Sequence, residues 1–373
     1  MAEYQLVSAD DHIDLRYLPR DLWETRVPAA VRDKVPRVEA TEKGLAWVCG
    51  DHVWGPWGTA RAFDVPLKSA LERGGVFEAG VLRPTTPELR LADMDRDGIY
   101  ATVMYGSVAP LLVKDPAVRQ VCYAAYNDWL VEFCGSEPRR LIGVGLLPAD
   151  DPALAIQELQ RVAKLGLRHA VLLAAAAEPP LYHPDWEPFW AAAAETGVPI
   201  GMHLFVSAPT AYPGVSPFAT AAIQGVQIGL QLLGPLVGLI FSGMLERHPG
   251  VRLVLAESGI GWIPFALERM DHEFGKYLEA REGWEARGGI PLTMQPSEYF
   301  RRQVWATFQD DPAGVGLLSM IGEDRVMWAS DYPHPDSTWP NSQRVIAAQM
   351  AGLPEGTRRK LTRENARALY GLN

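Results

Sequence analysis

Cysteine is the first shortage. The 373 residues hold three, Cys49, Cys122 and Cys134, scattered and odd in number. Such a set builds no disulfide framework and no CxxC zinc pair, so a reducing, cytoplasmic setting is expected. Positive charge is the second. With 45 acids against 35 bases the net charge is −10, which argues against nucleic acid as the main partner, because phosphate binding needs a basic face. A small anionic substrate stays open, since one local arginine or metal ion outweighs the global field. The third shortage is local. Residues 196–245 contain no Asp, Glu, Lys or Arg, and a run of that length can be read as membrane-spanning. Pro209, Pro213, Pro217 and Pro235 break it, however, and Gln224, Gln227 and Gln231 recur at helical spacing on one face. Gly225/Gly229 and Gly234/Gly238 permit close helix packing in water as in lipid. The expectation is no membrane. The helix after Pro217 should be buried against the protein or lie in the interface of a homodimer or larger assembly. A secretory leader is not expected either, because "MAEYQLVSADD" meets acids within eleven residues.

What is present is a regular alternation. With 48% hydrophobic and 21% charged residues the chain has the composition of an ordinary globular protein. Short apolar runs bounded by turn signals fall at 4–9, 101–105, 141–147, 170–173, 198–204, 252–256, 304–308 and 326–329, eight in all. Helical patterns such as "DPALAIQELQRVAKLG", "DWEPFWAAAAETG" and "DPAGVGLLSMIG" separate most of them. Asp151-Pro152 and Asp311-Pro312 supply N-cap and first-turn residues, and Gly166 and Gly197 sit where helices end. Strands alternating with helices make a parallel sheet, and eight such units close into an α/β (β/α)8 TIM barrel. The expected organisation is a single domain, 1–373. Residues 15–88, rich in Trp, Gly and Pro, form an insertion after strand 1 that covers the barrel mouth.

The active site of such a barrel lies at the carboxyl ends of its strands. Strand one runs into Asp10-Asp11-His12, strand five into His203, strand six into Glu257, and strand eight into Asp331 and then His334. Asp10 and His12 are two apart, so they leave a strand on one face, with Asp11 on the other. Asp10, His12, His203 and Asp331 form a nitrogen and oxygen donor set for a divalent cation, with Zn, Mn and Fe all suited and a thiolate-type structural zinc excluded. Pro333 and Pro335 are expected to hold Tyr332 and His334 extended over the barrel mouth. Of the other histidines, His248 reads as a helix C-terminal partner, His169 as a stability residue at the start of a strand, and His272 as solvated or helix-packing. His52 and His183 lie in loops. Trp47, Trp54 and Trp57 either roof the pocket or form a small satellite core.

"SADDHI", "LRLADMDRDGI", "MHLF", "FSGMLERHPGVRLVLAESGIGWIPFALERMD" and "SDYPHPDSTWPNS" together resemble the amidohydrolase-related TIM-barrel family, which includes aminocarboxymuconate-semialdehyde and γ-resorcylate decarboxylases. The resemblance covers nearly all the chain outside the insertion. It implies one metal ion. The first-strand pair of the family falls on Asp10 and His12, its fifth-strand histidine on His203 and its eighth-strand aspartate on Asp331. The sequence departs at strand six, where the decarboxylases present a histidine and this chain has Glu257. That residue is read as a general base, a ligand for a second metal, or an acceptor for the backbone around Gly259. The resemblance implies hydrolysis of a small or medium carboxylate, ester, lactone or amide, or non-oxidative decarboxylation of an aromatic acid. Asp331, Glu257 and His334 are the candidates for catalysis and proton transfer. A non-haem iron oxygenase, with Glu257 bridging two ions, is a second reading of the same residues. A barrel that binds without catalysis is a third.

Overall fold

The computed structural model describes residues 5–58, 61–62, 65–66, 77–78, 81–107, 111–204, 212–285, 288–334 and 336–372. The barrel strands are β1 (Leu6–His12), β2 (Ile99–Tyr105), β3 (Leu141–Gly143, resumed at Gly145–Leu146), β4 (Ala170–Leu172), β5 (Ile200–His203), β6 (Leu253–Ala256), β7 (Val304–Phe308) and β8 (Val326–Trp328). Neighbours pair in parallel from β1 to the first part of β3 and from its second part to β8. Val144 bridges the two parts of β3 by donating to Met104 O at 2.9 Å. At the seam, Asp331 N donates to Asp10 O (3.0 Å) and His12 N to Tyr332 O (2.7 Å), so the end of β8 is tied to β1.

Helices are started by the expected signals. The Asp151 side chain accepts from Ala153 N and Leu154 N, and Asp311 from Gly314 N. Gly197 ends its helix with φ +64°, a conformation that costs glycine nothing. Inside the strand ring, Val7, Ala9, Val103, Val171, Val254, Trp305 and Met327 form one buried cluster. Leu369 and Tyr370 of the helix Asn365–Tyr370 join it.

β1 runs three residues further than its apolar pattern, because polar side chains at its end find partners. It also contains a bulge. Ser8 pairs with Thr102 and Asp11 with Met104, so three steps on β1 match two on β2. The Ser8 hydroxyl donates to Asp11 Oδ1 at 2.8 Å, which places these two on one side although they are three positions apart. A bulge re-aims side chains in this way. Here it turns Asp10 and His12 together towards the barrel mouth, while Asp11 faces away.

Within the insertion, a three-stranded antiparallel sheet (Arg37–Thr41, Gly44–Cys49, His52–Pro56) follows short helical turns. Its tryptophans are stapled to the chain after β1: Trp47 Nε1 donates to Leu15 O (2.7 Å) and Trp57 Nε1 to Leu18 O (2.8 Å). Trp23 stacks edge-on against Trp47 and donates to Cys122 O. These rings form a satellite core, and Trp54 also faces a pocket described below.

The charge-free segment is packed on the protein over only part of its length. It forms the helix Pro217–Ile228, a 3-10 turn Gly229–Leu232 and the helix Leu233–Phe241. Leu232, Leu236, Leu239 and Ile240 are buried, but Phe218 is 87% and Val226 79% exposed. Residues Phe218–Phe241 are long and apolar enough to cross a membrane, and 22% of that apolar window is buried. The first half is therefore not packed on the barrel wall. Periodicity shows that a helix is apolar but not which surface covers it.

Candidate metal centre

Four strand ends bring their side chains together. His12 Nε2 lies 3.6 Å from Asp10 Oδ1, 3.4 Å from Asp331 Oδ1 and 3.8 Å from Glu257 Oε2. His203 Nε2 lies 3.7 Å from the same Asp10 oxygen and 3.5 Å from Glu257 Oε2. These separations exceed a hydrogen bond. They match the edge of a polyhedron whose centre binds each atom at about 2.0–2.2 Å. Asp10 Oδ1, His12 Nε2, His203 Nε2 and Asp331 Oδ2 are buried without any hydrogen-bond partner, and Asp331 Oδ1 is buried with His334 Nδ1 3.0 Å away. Four unpartnered atoms gathered at one mouth would be costly unless a cation satisfied them. The candidate ligands fall into two groups that share His12, one with Asp10 and His203 and one with Glu257, Asp331 and His334. Both offer nitrogen and oxygen only, which suits a divalent ion of the Mn, Fe or Zn type.

Each donor is held from behind. Asp10 Oδ2 accepts from Thr307 Oγ1 (2.9 Å) and from Glu257 N (2.7 Å), which leaves Oδ1 facing the site. His203 Nδ1 faces Leu204 O at 2.9 Å, fixing the tautomer that presents Nε2. The Tyr105 ring packs against His203, with centroids 5.0 Å apart. Beneath it, Tyr105 Oη donates to His169 Nε2, whose Nδ1 faces Pro199 O. Asp11 is a clamp: it accepts from Ser8, Ser330 and Thr102 hydroxyls and from Tyr332 N, joining β1, β2 and β8. The buried Arg90 guanidinium donates to His12 O.

Electrostatics divides the titratable groups. Burial, then the charges of His334 and His203, pushes His12 well below the usual histidine range, towards the neutral ligand form. Burial opposes charge on His203, but Asp10 and Glu257 outweigh it and raise its pKa. Burial, then the Asp331 carboxylate, pushes Glu257 up to about 8. Burial also lifts Asp331 to about 7 against the pull of His334. His334 bridges two carboxylates, Asp331 Oδ1 at Nδ1 and Asp14 Oδ2 at Nε2, both at 3.0 Å. These carboxylates outweigh its burial and hold it charged, stacked 3.9 Å over the His12 ring.

All of Asp10, His12, His203, Glu257, Asp331 and His334 thus meet at one mouth. The expected extended backbone at Tyr332–His334 is not found. His334 N donates to Asp331 O at 2.9 Å, so the chain makes a tight turn there, and Pro335 lies outside the described residues. The turn swings His334 back over His12, which an extended segment would not do. Sequence reasoning missed Asp14 and Thr307. Asp14 stands two residues beyond His12, and Thr307 is the one hydroxyl in the apolar run "VWATF". The remaining histidines are structural: His248 bonds Glu187 (2.7 Å), His169 is in the core, His183 caps Asp185 N, and His52 and His272 are exposed.

A parallel eight-stranded barrel with cation donors at its strand carboxyl ends defines a class of metal-dependent enzyme. The profile of the Amidohydrolase family matches residues 52–372, and the chain belongs to that family. The γ-resorcylate decarboxylase of Rhodococcus jostii (strain RHA1) is 28% identical over 312 residues, 77% of this chain and 88% of that protein. Among solved structures, an amidohydrolase from Mycobacterium avium subsp. paratuberculosis K-10 superposes with a TM-score of 0.73 at 21% identity, covering both chains fully. A 5-carboxyvanillate decarboxylase from Novosphingobium aromaticivorans DSM 12444, complexed with manganese and 4-hydroxy-3-methoxy-5-nitrobenzoic acid, superposes at 0.71 with 20% identity over 99% of this chain and 97% of that one.

Proposed function

We propose that this chain is a metal-dependent non-oxidative decarboxylase of an aromatic carboxylate, with Asp10, His12, His203 and Asp331 holding one divalent ion, manganese being the first choice. The observation that carries it is the gathering of four buried, unpartnered donor atoms, Asp10 Oδ1, His12 Nε2, His203 Nε2 and Asp331 Oδ2, at one barrel mouth. The relatives named above, acting on aromatic acids, support decarboxylation over hydrolysis or oxygenation. A bound cation would orient the substrate's oxygens and polarise them.

The chain's own groups do the rest. Glu257 carries the proton that replaces the departing carboxyl group on the ring: the carbon–hydrogen bond forms, the carbon–carbon bond breaks, and CO2 leaves. Its carboxyl is 23% exposed, so water can return the proton. His334, charged between Asp14 and Asp331, offsets negative charge at the mouth and fixes the Asp331 orientation. The test is direct. Purified protein should hold one manganese per chain and release CO2 from hydroxylated benzoic acids. Hydrolysis of esters or lactones without CO2 release would replace this reading, and failure to retain any metal would remove it. Glu257→Gln should keep the metal and lose turnover. Loss of the metal instead would make Glu257 a ligand.

The same proposal includes a second copy. The exposed, charge-free face of Pro217–Ile228 suits burial against another subunit, aided by Gly225, whose surface side is open. Val226→Glu should then shift a dimer to monomer by light scattering. A reducing cytoplasm is proposed on the strength of three free, buried thiols.

A further inference from the structure

The other half of the barrel mouth holds a pocket the metal centre does not use. Leu15, Trp23 and Trp54 of the insertion cover it, and Leu147, Val171 and Leu173 wall it at the ends of β3 and β4. It adjoins the strand end that packs on the metal centre: the Tyr126 hydroxyl lies against Gly106, the residue after Tyr105, whose ring is 6.1 Å from that of His12 and 5.0 Å from that of His203. Two donors in its lining stand out. Tyr126 is 2% exposed and its hydroxyl has no partner, and Trp54 Nε1 is likewise buried and unpartnered. Buried polar groups without partners are rare, and each calls for a ligand or a water.

The chain makes room for one of them. A Cβ at Gly106 would stand 2.3 Å from Tyr126 Oη. Gly106 is not among the positive-φ glycines, so its backbone does not require glycine. The closeness of the tyrosine hydroxyl does. Among the described residues the lining carries no charged side chain, and an isolated charge in such an enclosure is costly. A carboxylate therefore does not belong there. A neutral oxygen does.

We propose, resting on the decarboxylase reading above, that this pocket receives the ring substituent of the aromatic acid. Tyr126 O–H and Trp54 N–H donate to a methoxy, hydroxyl or carbonyl oxygen while the reacting carboxylate faces the metal donors. Tyr126 and Trp54 are thus specificity residues rather than catalytic ones.

The test compares two ligands on manganese-loaded protein of verified metal content. By titration calorimetry, 4-hydroxy-3-methoxy-5-nitrobenzoic acid should bind about tenfold more tightly than 4-hydroxy-3-nitrobenzoic acid, which lacks the methoxy oxygen. Tyr126→Phe should bring that ratio close to one without weakening the second ligand, and Trp54→Phe should reduce it. Without ligand, Tyr126→Phe should unfold at the same or a higher temperature, since it deletes an unpartnered buried hydroxyl. A ratio unchanged in both variants, no binding of either compound by metal-loaded protein, or a fall of several degrees in the Tyr126→Phe midpoint would each overturn the subsite and leave the metal centre standing. Absence of bound metal in the parent would overturn both.

Discussion

The two halves of the barrel mouth are built from equivalent positions and follow opposite rules. On the side of β1, β5, β6 and β8 the strand ends carry carboxylates and imidazoles, and Asp10 and His203 each present an unpartnered atom to the site while their other polar atom is engaged behind it. On the side of β3 and β4 the strand ends carry Leu147, Val171 and Leu173, and the insertion closes over them. The polar half needs a supporting layer because a ligand displaced by about an angstrom can lose on the order of a hundredfold in rate. The apolar half needs only volume and one or two donors. Chemistry should therefore fail abruptly on one side and recognition should change by degrees on the other.

The largest effect expected tests the polar half. Asp331→Ala or His203→Ala should strip the metal and cut turnover on the order of a thousandfold, since cation stabilisation is worth several kcal/mol. Metal analysis beside unchanged circular dichroism is the check, and full metal occupancy in Asp331→Ala would end the assignment. Next comes a control one residue from the site. Asp11→Ala should retain the metal yet lose about 3 kcal/mol of stability in urea titrations, because it leaves several buried donors unpaired. If Asp11→Ala lost metal at full stability, the inward and outward assignment of the bulge would be reversed. Thr307→Val should weaken metal affinity about 10- to 100-fold by freeing Asp10, and Thr307→Ser should restore it. The most gradual effect, spread over several pH units, lies beneath the apolar half. Burial lowers His169 from 6.5 to about 3. The unfolded chain takes up this proton near pH 6.5 while the folded one resists until about pH 3. Stability should thus fall as pH drops through that window, by up to about 1.4 kcal/mol per pH unit, and stay level above it. His169→Gln should flatten that part of the acid-unfolding curve. Equal slopes in both proteins would show that His169 charges without cost.

Much of this comparison could be read from the residues. Eight apolar runs pointed to the strands, and three of their ends supplied the candidate donors Asp10, His12, His203 and Asp331, with Glu257 at a fourth, because a buried parallel strand is apolar until it reaches the site. What stayed hidden depends on backbone detail. The bulge between Ser8 and Asp11 leaves no mark on a two-residue period. The turn at Asp331–His334 uses the same prolines that suit an extended chain. Thr307 looks like any threonine in a strand, and Tyr126 sits in a helix far along the sequence from the pocket it enters. Whether Pro217–Ile228 faces the barrel wall or a partner stayed open in the residues, because apolar character alone cannot tell the two apart.

The strand ends at β6 and β8 carry one more consequence. Glu257 and Asp331 are the two non-glycine residues with positive φ among those described, at 52° and 60°. Such a conformation costs an ordinary residue roughly 1–2 kcal/mol. Glycine would relax both sites, yet it would delete a carboxylate from each. Selection for thermal endurance alone would therefore drive these positions away from their present residues, and selection for turnover would drive them back. In a library screened only for heat resistance, Glu257→Gly and Asp331→Gly should accumulate among survivors that no longer work.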